Sequence, residues 1–397
     1  MQLRKYNYNI VTTYIICLIL NITYLNSNNT LENILSKNIR EEFDLNRQKN
    51  EQEYKILKKD WINPIRYNLK KEYKDNINTL RSIINISQPI FKSGGIYKSI
   101  KYANSINKYS NIVSVINEKF IINKAFNILL NINRQELIIK KQKLLIKNSE
   151  IDVNRKQEEV INGILNTSYL DNALLDKNNK KNTLLNILFE KKRLINEFTK
   201  LSNKEYKTIK LKKFKIVDKN YFIKNNLNIL KQTHNIKSKY NLKGMITSNY
   251  LPSINLEYTY TKTHDNGGLL TNDINSNKYG INFNIELDTK MLNNIESYQI
   301  DYLKAKLNIQ DTIKNEKNFF KLISSKIDSI NQKIVLAKND FQLYKSLLSN
   351  MLISFKAGLN SQADVNIIKN SKNIKSLDIK IFDIDKQIEI LKLYERI

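Results

Sequence analysis

Two long stretches of this chain lack the residues that usually stop a helix. No glycine or proline lies between Gly95 and Gly163, or between Gly280 and Gly358, and the 397 residues include only 8 glycines and 3 prolines. Because proline removes a helical hydrogen bond and glycine weakens a helix, these stretches favour very long helices. At about 1.5 Å per residue, roughly 65 residues would extend on the order of 100 Å. Such a length suits a coiled coil, a repeat array or a tunnel wall.

Both stretches carry apolar residues at the spacing of coiled coils. In the first stretch the interval is seven residues, and in the second it alternates between three and four. An average spacing of 3.5 residues predicts helices that pack knobs into holes in a left-handed supercoil. We expect the helices on either side of each glycine turn to pair antiparallel. The apolar residues are Ala125, Ile132, Ile139, Ile146, Val153 and Val160, and then Phe320, Ile323, Ile327, Ile330, Ile334, Ala337, Phe341, Tyr344, Leu348, Met351 and Phe355.

Four shorter segments alternate apolar and polar residues, which predicts strands with two different faces. They lie around Tyr67, Ile84, Tyr258 and Tyr279. Each run is about nine residues long, which matches one crossing by a tilted membrane strand. The alternative is a half-buried hairpin in a soluble sandwich, although the sequence predicts only four strands and both hairpins would expose edges. Four strands do not close a barrel, so closure would require several chains.

The predicted elements occur twice in the same order. Trp61 is followed by a proline, two strands, a long helix, a glycine turn and a second helix, and Tyr250 is followed by the same elements in the same order. We expect a first structural repeat at residues 27–205 and a second at residues 206–397, each with a helix, a strand pair and a long helical hairpin. Between them, the basic segment 203–219 is predicted to be a linker with a small strand.

The N-terminus has the pattern of a secretory signal peptide. Arg4 and Lys5 precede an apolar run from Ile10 to Leu20, and a polar segment follows. We predict a signal peptide at residues 1–26. An uncleaved anchor is the competing interpretation, because no small-residue cleavage site is obvious, although the apolar run is short for a membrane span.

Neither the charge nor the sequence motifs indicate catalysis, cofactor binding or nucleic-acid binding. The net charge is +28, from 66 Lys and Arg against 38 Asp and Glu. The lysines are scattered, which favours biased composition over nucleic-acid binding, a function that needs a concentrated basic surface. One cysteine excludes an intramolecular disulfide, two histidines give no metal-ligand spacing, and no nucleotide-binding motif is present. We therefore predict no enzyme activity, no cofactor, no metal and no nucleic-acid partner.

Four short motifs, in this order and with the duplication, resemble the TolC-like outer-membrane efflux protein family. The resemblance covers essentially the whole chain after the signal peptide. Each motif is short and weak by itself, and the set is more specific than its parts. The motifs are Asp60-Trp61-Ile62-Asn63-Pro64, Ser87-Gln88-Pro89-Ile90-Phe91-Lys92-Ser93-Gly94-Gly95, Tyr250-Leu251-Pro252-Ser253-Ile254 and Gly358-Leu359-Asn360-Ser361-Gln362-Ala363-Asp364-Val365.

The resemblance implies an α+β membrane protein that assembles as a homotrimer. Each chain would give four β-strands to a shared 12-stranded outer-membrane barrel and its coiled-coil hairpins to a periplasmic α-barrel. Such a protein is the passive exit duct of a tripartite efflux pump or a type I secretion system. Its partners would be outer-membrane lipid, a periplasmic adaptor (membrane fusion) protein that docks on the hairpin turns, and an inner-membrane transporter. The alternative is a periplasmic coiled-coil adaptor or structural spacer.

The resemblance also implies candidate site residues. Asp364 matches a position where a ring of carboxylates narrows the periplasmic end of the channel, although a favourable charge at a helix N-terminus explains it equally well. The first turn is expected to be longer than the second or irregular, because Ser168 lies five residues after Gly163 whereas Ser361 lies three after Gly358. The turn and adaptor-docking residues are Gly163, Ser168, Asp171, Gly358, Leu359 and Ser361. The polar strand face predicted to line the barrel lumen has Arg66, Asn68, Lys70, Asn255, Glu257, Asn284 and Glu286.

Overall fold

The computed structural model describes residues 34–74, 77–209, 211, 213–264 and 274–397. The predicted signal peptide at residues 1–26 lies outside them. The described elements are α1 (Lys37–Lys59), β1 (Arg66–Lys74), β2 (Ile77–Phe91), α2 (Gly95–Ile161), α3 (Thr167–Thr199), a 3-10 helix (Tyr206–Thr208), α4 (Lys219–Lys224), α5 (Leu227–Asn249), β3 (Ser253–His264), β4 (Ile274–Asn284), α6 (Met291–Lys356) and α7 (Gln362–Tyr394).

Apart from the short α4, the described α-helices occur in pairs of matching length, in the order that the duplication predicts. Helices α1 and α5 each have 23 residues, α2 has 67 and α6 has 66, and α3 and α7 each have 33. The strands match less well, with 9 and 15 residues in the first pair and 12 and 11 in the second. The absence of helix breakers in the two long stretches therefore predicted the helices α2 and α6 correctly.

The four strands form one antiparallel sheet in the order β1-β2-β3-β4. Strand β2 pairs with β3 through eleven residues, and this pairing joins the two copies of the strand pair. Strand β2 is longer than predicted because it continues through Pro89 to Phe91, with a bulge between these two residues. Strands β1 and β4 are the edges, and within the described residues each has a neighbouring strand on one side.

The chain divides into two compact units. Of the described residues, the first unit has 34–43, 117–224 and 317–397, and the second has 44–116 and 225–316, including the whole sheet. Both hydrophobic core clusters lie in the first unit. Among the described residues, these clusters include no side chain from the sheet.

The predicted coiled-coil spacing corresponds to burial in the first unit. Ala125 and Ile132 on α2 have no exposed surface, and Ile323 and Ile327 on α6 are 2% and 3% exposed. The stripe weakens toward the turns, where Phe355 is exposed. The spacing of 3.5 residues therefore identified the faces along which these helices pack.

A ladder of polar contacts joins α2 to α7. The positions on α2 are seven residues apart, and their partners on α7 descend as the α2 numbers rise, so the two helices are antiparallel. In three of the four contacts, α2 supplies the cation and α7 the carboxylate. The contacts are Arg134 Nε to Asp385 Oδ1 (2.6 Å), Lys141 Nζ to Asp378 Oδ1 (2.7 Å), Asn370 Nδ2 to Asn148 Oδ1 (2.8 Å) and Arg155 Nη1 to Asp364 Oδ1 (3.5 Å).

The segment between α3 and α5 is docked against the first unit's core. Gln387 accepts a hydrogen bond from the Phe214 backbone N–H at 2.7 Å and donates one to the Phe214 carbonyl at 3.3 Å. The Phe214 ring lies 5.8 Å from the Phe126 ring and 5.2 Å from the Tyr394 ring, between centroids. The described part of residues 203–219 has no strand, so the prediction of a small strand there is wrong.

We expect the ladder to stabilise the first unit measurably at Lys141 and Asp378, whose side chains are 33% and 14% exposed. A double-mutant cycle with Lys141→Ala and Asp378→Ala, followed by denaturant unfolding, should give a coupling of roughly 0.5–1 kcal/mol, because the pair is partly shielded from water.

The matched control is the pair Arg47 and Asp44 on α1, whose side chains are 42% and 64% exposed. Its coupling should be about 0.3 kcal/mol or less, since water screens the pair. Equal couplings in the two cycles would mean that the ladder is only a set of surface contacts.

Candidate functional site

The register of the sheet separates its side chains into two faces of different chemistry. Residues that pair directly across antiparallel strands carry their side chains on the same face. Arg66 pairs with Asn85, Asn85 with Thr259 and Thr259 with Lys278, so this row is polar across all four strands. We call this side of the sheet the polar face. Its other described side chains include Asn68, Lys70, Glu72, Arg81, Ser87, Asn255, Glu257, Thr261, Thr263, Ser276, Asn282 and Asn284.

The opposite side, the apolar face, exposes large hydrophobic residues. The row of Ile86, Tyr258 and Tyr279 crosses three strands. Tyr279 is 79% exposed, although its ring lies 5.1 Å from that of Tyr258 between centroids. A soluble protein rarely leaves a contiguous surface of this kind uncovered, so it indicates contact with lipid or with another protein. The further large hydrophobic side chains exposed on this face are Tyr67, Leu69, Tyr73, Leu256, Ile281 and Phe283.

Hydrogen bonds join polar side chains on both faces. On the polar face, Asn282 Nδ2 donates to Glu257 Oε1 at 3.1 Å, and Thr259 Oγ1 donates to Asn85 Oδ1 at 3.1 Å. On the apolar face, the Tyr258 hydroxyl donates to Asn277 Oδ1 at 3.0 Å. A tyrosine whose hydroxyl is bonded within the sheet can present its ring to an apolar environment at lower cost.

Six of the seven residues predicted to line a lumen lie on the polar face. The exception is Glu286, because β4 ends at Asn284 and residues 285–287 are not in a strand. The prediction that Glu286 lies in the last strand is therefore wrong. Alternation continues past the strand in the sequence, but the pairing with β3 ends where Ser253 meets Asn284, so no ladder bonds hold the later residues.

Both helical hairpins turn through the same backbone motif. Gly163 and Gly358 have φ of +69° and +74°, a left-handed conformation that glycine adopts without steric cost. The hydrogen bonds are those of a Schellman motif, which satisfies the last carbonyl groups of a helix. They run from Gly163 N to Val160 O (3.0 Å), Ile164 N to Glu159 O (2.8 Å), Gly358 N to Phe355 O (3.0 Å) and Leu359 N to Ser354 O (2.9 Å).

The two turns have the same length, so the prediction of a longer first turn is wrong. The N-cap of α3 is Asn166, three residues after Gly163, and the N-cap of α7 is Ser361, three residues after Gly358. Asparagine and serine both cap helices well, but the alignment of the two copies in the sequence paired Ser168 with Ser361. With the caps aligned, Tyr169 takes the position of Asp364. Ser168 is the second residue of α3, and Asp171 is the fifth, just beyond the first turn.

Asp364 is held at the start of α7 by a reciprocal capping box. Ser361 donates to Asp364 Oδ2 from its backbone N at 3.2 Å and from its Oγ at 2.7 Å, and Asp364 N donates back to Ser361 Oγ at 3.2 Å. These hydrogen bonds, together with the charge of Arg155, hold the pKa of the Asp364 carboxyl below its ordinary value. The carboxylate is therefore ionised at neutral pH and faces a cation on α2.

The sequence reasoning missed Arg155, the last cation of the ladder. It lies seven residues after Asn148 and fourteen after Lys141, and the acidic partners on α7 have the same spacing. Basic residues on α2 and acidic residues on α7 therefore recur at multiples of seven positions. This common spacing in the two helices could have predicted that α2 pairs with α7.

Two further properties concern the described residues as a whole. Within them, no helix combines the length and the hydropathy needed to cross a bilayer. The same part of the chain has no group of three or more His, Cys, Asp and Glu side chains placed to hold a metal ion.

The described structure is similar to solved outer-membrane proteins. VceC from Vibrio cholerae matches with a TM-score of 0.71 at 12% identity, over 93% of this chain and 96% of VceC. The CmeC channel of Campylobacter jejuni matches with a TM-score of 0.68 at 12% identity, over 92% and 85%. The MtrE channel of Neisseria gonorrhoeae, solved in an open state, matches with a TM-score of 0.63 at 12% identity, over 92% and 88%. No protein-family model and no curated protein matches the sequence.

The chain is therefore a mostly helical protein with a four-stranded antiparallel sheet, a fold class shared with outer-membrane channels. More particularly, it has the TolC-like fold, which confirms at the level of the fold the resemblance noted in the four short motifs.

The turn geometry predicts that alanine is tolerated differently at two glycines. Gly358→Ala should destabilise the protein by about 1–2 kcal/mol, because alanine is strained at positive φ even though the space around the position is open. Denaturant unfolding of the purified variants measures the difference.

The matched control is Gly280→Ala in β4, where the space is equally open and φ is not in the left-handed range. This variant should match or slightly exceed the wild type in stability, since alanine restricts the unfolded chain. Equal loss in both variants would argue against a strained turn at Gly358.

Proposed function

We propose that this protein is a passive duct through the outer membrane, the exit channel of a tripartite efflux pump or a type I secretion system. The observation that carries the proposal is the sheet, with one face of exposed tyrosine, leucine, isoleucine and phenylalanine and one polar face. That alternation is typical of membrane barrels, whose strands face lipid on one side and a lumen on the other. The likeness to solved outer-membrane channels supports the same function.

The proposed assembly is a homotrimer. Strands β1 and β4 are sheet edges with unpaired backbone groups, and edges of this kind are not stable in the hydrocarbon region of a bilayer. Pairing β4 of one chain with β1 of the next satisfies both edges. Three chains would supply a closed barrel of twelve strands, the assembly that the TolC-like resemblance implies. The repeats at residues 27–205 and 206–397 would each supply one strand pair and one hairpin.

The helical hairpins would form a tunnel wall in the periplasm and bind the partners. We propose that a periplasmic adaptor docks on the two turns, which have Gly163, Ser168 and Asp171 in one and Gly358, Leu359 and Ser361 in the other. Ile164 and Leu359 support this placement, because they are 70% and 77% exposed and offer an adaptor apolar contacts. An inner-membrane transporter would supply the energy, since the duct has no energy source of its own.

Asp364 is the proposed periplasmic gate. In a trimer, three ionised carboxylates around an axis would narrow the entrance and repel one another. The contact with Arg155 supports a role in closure, because it ties the start of α7 to α2. The capping box shows that the same residue also stabilises its helix, and the two roles are separable by substitution.

The proposed function predicts where in the cell the protein is found. Expressed with its N-terminal segment in a Gram-negative host, the protein should fractionate with the outer membrane and run as a trimer in mild detergent. A soluble monomer in the periplasm would instead indicate an adaptor or a spacer and overturn the proposal.

A pair of variants on β4 sharpens this experiment. Ile281→Lys places a charge on the apolar face and should reduce outer-membrane assembly, since a lysine facing lipid costs roughly 2–4 kcal/mol at the bilayer midplane. Asn282→Lys places the same charge on the polar face and should assemble normally. Similar assembly of the two variants would contradict contact between the apolar face and lipid.

The proposed gate predicts how a substitution of Asp364 changes conductance. Asp364→Ala should raise the conductance of the protein in planar bilayers, because it removes both the carboxylate ring and the contact with Arg155. Since the pKa of Asp364 is lowered, the carboxylate keeps its charge below the pH at which an ordinary aspartate is protonated, and closure should be lost only as the pH falls through that lowered pKa.

The control for this prediction is Ser361→Ala, which breaks the capping box but leaves the Asp364 carboxylate and Arg155 in place. Its conductance should equal that of the wild type. If both variants conduct alike, whether raised or unchanged, Asp364 acts as a helix cap and not as a gate.

A further inference from the structure

The polar face of the sheet carries more positive than negative charge. Among the side chains that the structure describes on this face, four are basic and two are acidic. Serine, threonine, asparagine, glycine, proline and two isoleucines, Ile83 and Ile274, occupy the other described positions, so no further charge offsets the difference. The charged side chains are Arg66, Lys70, Arg81 and Lys278, against Glu72 and Glu257.

The two carboxylates do not cancel the four cations. Glu72 forms ion pairs with both Lys70 and Arg81, the latter at 3.3 Å, so this group of three retains one positive charge. Glu257 accepts a hydrogen bond from the neutral amide of Asn282. The described side chains of this face therefore carry a net charge of plus two in each chain.

The remaining cations lie at the two edges of a single row. Arg66 on β1 and Lys278 on β4 are connected through Asn85 and Thr259, which bond to each other and carry no charge. Both cations are exposed, and neither forms an ion pair with another described residue. In the proposed trimer, each seam between chains would have Arg66 on one side and Lys278 on the other.

We infer that the barrel selects for anions, and that the cargo it favours is an anionic solute. This inference rests on the proposed channel function, since it requires the polar face to line a lumen. Fixed positive charge on a pore wall concentrates anions and excludes cations within about one Debye length, roughly 10 Å at 0.1 M salt. The Asp364 carboxylate does not impose the opposite preference alone, because Arg155 accompanies it.

The experiment measures reversal potentials of the full-length protein, purified from outer membranes and inserted into planar bilayers, under a potassium chloride gradient. The wild type should show a chloride-to-potassium permeability ratio above one, and the ratio should fall toward one at high salt, where the Debye length is about 3 Å. Arg66→Gln with Lys278→Gln should bring the ratio close to one, and Arg66→Glu with Lys278→Glu should reverse it.

The matched control removes two lysines, one on β1 and one on β3, from the apolar face. Lys71 and Lys262 lie on that face, because Lys71 pairs with Leu80 and Lys262 with Ser82, which also pairs with Leu69. Lys71→Gln with Lys262→Gln changes the chain's charge equally but should leave the permeability ratio unchanged. Trimer migration in detergent confirms that each variant is assembled.

Four outcomes would overturn the inference or the channel function on which it rests. A wild-type channel that prefers potassium, or a ratio that does not move in the Arg66→Glu and Lys278→Glu variant, would overturn anion selectivity and leave the channel function intact. An equal shift in the apolar-face control would assign the effect to total charge and not to the polar face. Assembled trimers without any conductance would overturn the channel function itself.

Discussion

The pairing of strand β2 with strand β3 is the interaction on which the function of this protein depends. It joins two hairpins that are far apart in the sequence into one sheet of four strands. Its register brings Ile84 beside Tyr260 and Asn85 beside Thr259, which keeps apolar and polar residues on opposite faces. A shift by one residue would mix the two faces, and neither a continuous apolar face nor a continuous polar face would remain.

The helical unit is held by a different combination of forces. Apolar residues at coiled-coil spacing supply the packing, and the ladder between α2 and α7 adds contacts of complementary charge. Hydrophobic contacts alone tolerate sliding of one helix along another, whereas charges at intervals of seven favour one register. The last contact of this ladder, from Arg155 to Asp364, lies next to the turn. The proposed gate is thus a continuation of the contacts that align the helices.

The prediction errors share a physical origin. Ser168 and Ser361 were matched because they are the same residue, but Asn166 caps α3, since its amide oxygen accepts a hydrogen bond from the Ser168 backbone N–H. Glu286 was placed in a strand because alternation continues beyond Asn284, although strand length depends on a partner and not on pattern alone. Arg155 was missed because a contact between two distant helices is invisible when each helix is considered separately.

The sequence by itself determined the helices, the alternation of the strands and the duplication, because these depend on local breakers and on periods that one segment contains. It also indicated the TolC-like family through four short motifs. Only the tertiary structure decided that β2 pairs with β3 and that Arg66 and Lys278 share a row. These relations join residues far apart in the chain, and side-chain periodicity specifies which face a residue occupies but not which partner it meets.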